Sequence, residues 1–291
     1  MPRYLPNKTA VRGAFAVAYL LAVVPAPAAD PDAVARGAYL AGAAGCDRCH
    51  TDSDHGGKPY AGGRPLATPF GTIPTPNITP DPATGIGRWN MADFARAMRW
   101  GIAPDDSHYV PAFPFPFYNR LTDGDLADLK AFLDSLPAVS RSDLKGAGST
   151  ALLARAQAAL AVVATAFPGP WQPDPEKDQL SNRGGYLVAT VGRCGDCHTP
   201  RNRLGAPDPD HFLSGGMRVP NITPDPQSGI GSWTEEDIIG VLTDGHTPDF
   251  DFVGGAMAEI VKNTARLTDE DRRAIAVYLQ SLPAKPSQEK K

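Results

Sequence analysis

An excess of positive charge is absent from this sequence. It has 28 lysines and arginines against 32 aspartates and glutamates, whereas a protein that binds nucleic acid through the phosphates needs a basic surface. The sequence contains no phosphate-binding glycine loop, paired carboxylates or nucleophile–base pattern. No segment alternates apolar and polar residues as a half-buried strand does. These absences exclude nucleic-acid binding, argue against hydrolysis and phosphoryl transfer, and disfavour a β-rich fold.

Cysteine is scarce, and all four cysteines belong to two short motifs, CDRCH at 46–50 and CGDCH at 194–198. Two cysteines at this spacing can bond both vinyl groups of one porphyrin, and the histidine that follows can ligate the iron. A thioredoxin-like redox pair and half of a zinc site also use Cys-x-x-Cys. A zinc site needs four ligands close together, however, and neither motif has a second Cys/His pair at that spacing.

We therefore expect two covalently bound haems c. The attachment residues are Cys46, Cys49, Cys194 and Cys197, and the first axial iron ligands are His50 and His198.

A long apolar run is also missing, except for 12 residues at 13–24. The run follows three basic residues and precedes small residues, an order typical of a secretory signal peptide, and it is too short to span a bilayer. We predict a signal peptide at 1–29 and export to the periplasm, with a retained membrane anchor as the alternative. Removal of the leader leaves 25 basic against 32 acidic residues, a formal net charge of −7, so a partner attracted by charge should present a basic patch.

A unit of about 110 residues occurs twice, with offsets of 144 to 148 residues between matching segments. The matching segments are RGAYL and RGGYL at 36–40 and 183–187, NITPDP at 77–82 and 221–226, and LTD at 121–123 and 267–269. Each unit carries one haem motif, which predicts two tandem domains. We place them at 30–140 and 179–284, joined by a linker with an Ala-rich helix at 141–178 and followed by a solvated tail at 285–291. The NIT triplets also satisfy the glycosylation sequon, but a duplicated loop explains them better.

Each unit is predicted to be helical. Segments 32–44 and 179–191 lead into the haem motifs, and Gly37 and Gly184 would let another backbone approach closely. A short helix should follow an N-cap at Asn90 or Thr234, and a last helix should follow Thr122 or Thr268. The proline-rich loops at 65–82 and 207–226 are expected to wrap the haem edge without forming helix or central strand.

These motifs together resemble the multihaem cytochrome c subunits of periplasmic alcohol, aldehyde and gluconate dehydrogenases. The resemblance covers about 30–140 and 180–283. It implies an all-α fold of two tandem cytochrome c domains, each a small helical domain wrapped around one covalent haem. Those subunits have a further haem domain and a membrane-associating C-terminal segment, and we expect here a two-haem, soluble form with no membrane span after signal removal.

The resemblance also implies a methionine as the sixth iron ligand, between the tryptophan loop (85–89 in the first unit, 229–233 in the second) and the last helix. Met257 stands there in the second unit, with Met217 as its main rival. The 144-residue offset of the tryptophan loops places Phe113 at the matching position of the first unit. Phenylalanine has no lone pair to give.

Several interpretations of the first haem stay open. Its iron is five-coordinate or water-bound under Phe113, or it is ligated by His108, or by Met98 from the short helix, with His55 as a further candidate. His108 could equally be a surface histidine, and Met98 could simply fill the core.

The resemblance implies electron transfer from a periplasmic substrate dehydrogenase to a downstream cytochrome or oxidase, rather than catalysis. The alternative is a haem enzyme that acts on peroxide or on a small sulfur or nitrogen compound at an open first haem. A gas sensor is a third class, for which the sequence shows no output domain.

Overall fold

The computed structural model describes residues 30–68, 71–109, 112–144, 169–201, 207–216 and 219–287. The predicted signal peptide, the Ala-rich linker helix and Met217 lie outside the described residues. Within them, none of the helices has the length and apolar character that a membrane crossing requires.

Apart from single turns of 3₁₀-helix, five α-helices are described in each unit. Those of the first unit are α1 (Pro31–Ala44), α2 (Cys46–Cys49), α3 (Met91–Trp100), α4 (Phe115–Tyr118) and α5 (Asp123–Ser135). Those of the second unit are α6 (Gln179–Ala189), α7 (Cys194–His198), α8 (Glu235–Thr243), α9 (Gly255–Thr264) and α10 (Asp269–Gln280).

The predicted helix starts are confirmed by their caps. The side chains of Asn90 and Thr234 each accept a hydrogen bond from the backbone N–H three residues on, and Asp93 and Asp237 complete a capping box. Thr122 and Thr268 cap α5 and α10 in the same way. Each cap satisfies a backbone donor that the first turn of a helix leaves unpaired.

In both units the first and the last long helix cross in close contact, α1 on α5 and α6 on α10. A Cβ atom at Gly37 would lie 1.9 Å from the carbonyl oxygen of Asp128, and one at Gly184 would lie 1.9 Å from that of Ala274. No side chain fits in that space, so the crossing depends on glycine, as the sequence predicted.

The expectation of a purely helical fold is wrong in one place. Two short strands, β1 (Pro65–Thr68) and β2 (Gly71–Pro74), pair antiparallel within the first proline-rich loop. Each strand has only four residues, and the paired Leu66 and Ile73 line the cavity described below. One apolar residue per strand on the cavity side is too few to produce an alternating pattern in the sequence. Pro65 and Pro74 lie opposite each other at its end, where proline can be accommodated.

The NITPDP loops hold the chain segment that follows the last helix of each unit. Nδ2 of Asn77 donates a hydrogen bond to the carbonyl of Val139 at 2.7 Å, and Nδ2 of Asn221 donates one to that of Lys285 at 2.7 Å. Both asparagines are buried, and their Oδ1 atoms accept bonds from the backbone two residues on. Each loop therefore fixes the segment after the last helix to the rest of its unit.

Two tyrosines exchange equivalent contacts between the units. The hydroxyl of Tyr39 on α1 donates to Oδ2 of Asp271 at 2.6 Å and accepts from the N–H of Thr268 at 3.1 Å, at the start of α10. The hydroxyl of Tyr186 on α6 likewise donates to Asp125 and accepts a bond at the start of α5. Each unit thus caps a helix of the other, and one buried apolar cluster continues across both.

Candidate haem sites

A cavity of about 590 Å³ lies in the first unit and is lined by the first haem motif. Cys46, Cys49 and His50 form one side of it. Apolar side chains form most of the remainder, among them Ile86, Trp89, Phe94, Leu129 and Leu133. The volume is in the range of small-molecule and cofactor pockets, and apolar walls around two cysteines and a histidine suit a covalently attached porphyrin.

The motif histidines of both units are oriented in the same way. Nδ1 of His50 lies 2.8 Å from the carbonyl of Pro76, and Nδ1 of His198 lies 2.8 Å from that of Pro220. A carbonyl accepts only, so Nδ1 carries the proton and Nε2 is left with the lone pair that a metal ligand needs. Burial lowers the pKa of both histidines, which favours the neutral, ligating form. This geometry fits iron ligation.

The first cysteine of each motif does not fit thiol redox chemistry. Burial raises the pKa of Cys46 to about 12 and that of Cys194 to about 11. A thioredoxin-like pair requires a lowered pKa, because the thiolate is the nucleophile. The alternative interpretation of these motifs as a redox pair is therefore disfavoured.

The structure brings two candidate ligands for the sixth position into the first cavity, Met98 and His108, and Phe113 lines the same cavity. Nδ1 of His108 is buried and has no hydrogen-bond partner within the described part of the chain. The third candidate ligand, His55, lies instead in an exposed turn and pairs with Asp52 at 2.9 Å.

The backbone preserves the 144-residue offset between the two units as far as His108 and Phe252. An antiparallel bridge joins Ile102 to His108 in the first unit, and the corresponding bridge, 144 residues later, joins His246 to Phe252. Phe113 packs against Tyr109 and Tyr118, with ring centroids 5.6 and 5.7 Å away. Met257 lies half-buried in the first turn of α9.

Sequence reasoning missed Arg193. This residue immediately precedes the second haem motif, yet its side chain lines the cavity of the first unit. Its guanidinium lies 5.7 Å from the ring centroid of Tyr118. The repeat did contain a signal, because Arg193 stands where the first unit has Gly45. In the structure both residues have a positive φ, +48° for Arg193 and +68° for Gly45. Arginine rarely adopts this left-handed conformation, which indicates that the surrounding tertiary structure enforces it at Arg193.

Two aromatic side chains near Met257 are exposed. Phe250 is 89% exposed and Phe252 is 62% exposed. Their rings flank that of His246, at centroid distances of 6.3 and 5.0 Å. His246 therefore has a packing role, and His211 pairs with Asp208.

A cytochrome c family model matches residues 34–137 and 182–283. A protein described as diheme cytochrome c-type, from Cereibacter sphaeroides, is 43% identical over 259 residues, which are 86% of each chain. The cytochrome c subunit of the quinone alcohol dehydrogenase of Gluconacetobacter polyoxogenes is 38% identical over 94% of this chain and 61% of its own. The gluconate 2-dehydrogenase cytochrome c subunit of Pantoea cypripedii is 38% identical over 87% of this chain and 60% of its own. The chain thus spans most of the first relative and about three fifths of the two dehydrogenase subunits.

Proposed function

This chain belongs to the cytochrome c family and carries two covalent haems c, and from that premise we propose that it is a periplasmic electron-transfer protein. It takes electrons from a substrate dehydrogenase and passes them to a downstream cytochrome or oxidase. The haems supply one-electron chemistry, and the protein contributes axial ligands, burial and relative placement. The names of the relatives, cytochromes and cytochrome subunits of dehydrogenases, favour this role over the enzyme alternative.

The observation that supports the proposal most directly is the position of the two haem motifs at the interface of the units. Arg48 in the first motif donates to the carboxylate of Glu259 on α9 of the second unit, at 2.8 Å. Gly195 in the second motif packs against Phe117 on α4 of the first unit, where a Cβ would lie 3.6 Å from the ring. Each motif therefore faces the other unit, as transfer between two fixed haems requires.

For the second haem we propose Met257 as the sixth ligand. For the first we propose His108, because its buried Nδ1 lacks a partner among the described residues and it shares the cavity with His50. An open iron under Phe113 is the competing assignment. Methionine opposite histidine raises a haem potential, so the second haem should have the higher potential and should hold the electron after transfer.

The exposed pair Phe250 and Phe252 is the proposed contact for a redox partner. Two large apolar side chains at a loop tip favour a protein contact. The loop leads directly into the helix that carries Met257, so a partner seated there would approach the second haem.

The test uses the haem-loaded protein with a purified quinone alcohol dehydrogenase or gluconate dehydrogenase. Addition of alcohol or gluconate should reduce both haems, and the double change Phe250→Ser with Phe252→Ser should raise KM for the cytochrome while leaving its potentials unchanged.

The oxidised protein should show the methionine-to-iron charge-transfer band at the strength of one haem, and Met257→Ala should abolish it. Haems that stay oxidised during substrate turnover by both dehydrogenases, together with peroxide turnover by the cytochrome itself, would favour the enzyme alternative.

Export and loading are tested by the intact mass. The mature protein should begin near Ala29 or Asp30 and carry the mass of two haems. A chain that retains residues 1–29 in the membrane fraction would contradict the proposed location.

A further inference from the structure

Arg193 is a cation placed between the two haem motifs. It is adjacent in sequence to Cys194, and its side chain reaches the cavity formed by Cys46, Cys49 and His50. The side chain is 21% exposed, and its Nε atom is fully buried with no hydrogen-bond partner among the described residues.

The charge of Arg193 is poorly neutralised. Its nearest acidic group is Asp196, where Nη1 and Oδ2 are 3.8 Å apart, beyond hydrogen-bond distance. Asp196 instead binds the exposed Arg201 at 2.6 Å. A largely buried cation with no counter-ion at hydrogen-bond distance carries a desolvation cost, and Arg193 itself has a left-handed backbone conformation. Such a placement is expected where the positive charge itself contributes to function.

The position of Arg193 brings its charge close to both haem motifs. Its side chain lines the cavity that also contains Cys46 and His50 of the first motif. Its guanidinium lies 3.8 Å from Asp196, which stands between the two cysteines of the second motif. One side chain is therefore placed to act electrostatically on both haem sites.

We propose that Arg193 is a shared electrostatic element of the two haems, which stabilises the reduced state of each and thereby sets their potentials together. Each iron that takes up one electron loses one unit of positive charge, and a fixed cation nearby favours that change. Gly45, at the matching place in the first unit, has no side chain, so one arginine serves both sites. This inference rests on the proposed electron-transfer function and assigns a residue to it. The two haem potentials are properties of the isolated protein, so they can be measured whatever its electron donor is.

The test is a redox titration of the haem-loaded protein, with the two haems distinguished by their paramagnetically shifted NMR signals. Arg193→Gln should lower the equilibrium constant for reduction of both haems by roughly tenfold, which is about 59 mV for one electron. Arg193→Lys keeps the charge and should stay within about twofold of the unchanged protein. Arg201→Gln is the matched control: it removes the same charge from the exposed partner of the same aspartate and should shift both constants by less than about twofold, because water screens it.

A second variant covers the case in which Arg193→Gln does not load haem. Asp196→Asn retains the arginine and removes its nearest acid, so both constants should rise. Unchanged potentials in Arg193→Gln, or a shift at the second haem alone in either variant, would overturn the proposal. A protein that no dehydrogenase reduces, but whose two potentials move together in these variants, would refute the proposed donor and leave the role of Arg193 intact.

Discussion

Loss of a single hydroxyl group at Tyr39 should weaken the whole molecule, because that hydroxyl joins the two units. Tyr39→Phe removes the 2.6 Å bond to the carboxylate of Asp271 and the 3.1 Å bond from the N–H of Thr268. A hydrogen bond to a charged group contributes about 1.5–3 kcal/mol and a neutral one about 0.5–1.5 kcal/mol. The carboxylate keeps Arg183, at 2.7 Å, and the amide lies where water can reach it. The expected loss in the free energy of unfolding is therefore about 2 kcal/mol.

Guanidinium unfolding, followed by far-UV circular dichroism and by haem absorbance, measures this loss. Tyr60→Phe is the control, since the Tyr60 hydroxyl has no hydrogen-bond partner in the part of the chain that the structure describes and its ring packs against Phe132 at 5.6 Å. That control should cost less than about 0.5 kcal/mol. Tyr186→Phe should resemble Tyr39→Phe, because its contact is the equivalent one. Equal stability of the Tyr39 and Tyr60 variants would refute the reasoning that these hydroxyls hold the units together.

Three further predictions concern the haem, the helix crossing and acid. His108→Ala should let carbon monoxide bind rapidly to the first haem of the reduced protein, because the proposed ligand is lost; rapid binding by the unchanged protein would identify an open iron instead. Gly184→Ala should lower the free energy of unfolding by about 3 kcal/mol or more, since its Cβ would lie 1.9 Å from a carbonyl oxygen. The control is Gly124→Ala, whose Cβ meets nothing closer than 3.9 Å, and which should be neutral or stabilising by up to about 1 kcal/mol. Thermal unfolding compares the two variants. Burial alone would raise the pKa of Asp271, but its hydrogen bonds to Arg183 and Tyr39 lower it by more, so the net shift is downward. The stability that this carboxylate contributes should therefore be complete at neutral pH and lost as pH falls below about 4. Asp271→Asn should flatten the dependence of stability on pH in that range, and an unchanged acid profile would contradict this.

Local chemistry was predictable from the sequence, and contacts between the units were not. The helix starts at Asn90 and Thr234 follow from a cap and an aspartate three residues on, which interact within one turn. The haem motifs follow from spacing alone. The ribbon at 65–74 was missed because two four-residue strands with one cavity-lining apolar residue each, Leu66 and Ile73, are too short to show apolar alternation. Arg193 was missed because its role depends on the cavity of the other unit; only the comparison with Gly45 at the matching place of the repeat points to it.

Asn77 and Asn221 decide which expression hosts suit this protein. Each is the acceptor asparagine of a glycosylation triplet, and each uses its buried Nδ2, the atom that a glycan would take, to bind a carbonyl. In a yeast or insect-cell secretory pathway, sugar is added to the chain before it has folded. A glycan on either asparagine could not enter the space that the loop closes, so the modified chain would fail to close that unit and would be retained and degraded. Production in a bacterial periplasm, where this modification does not take place at such triplets, avoids the loss.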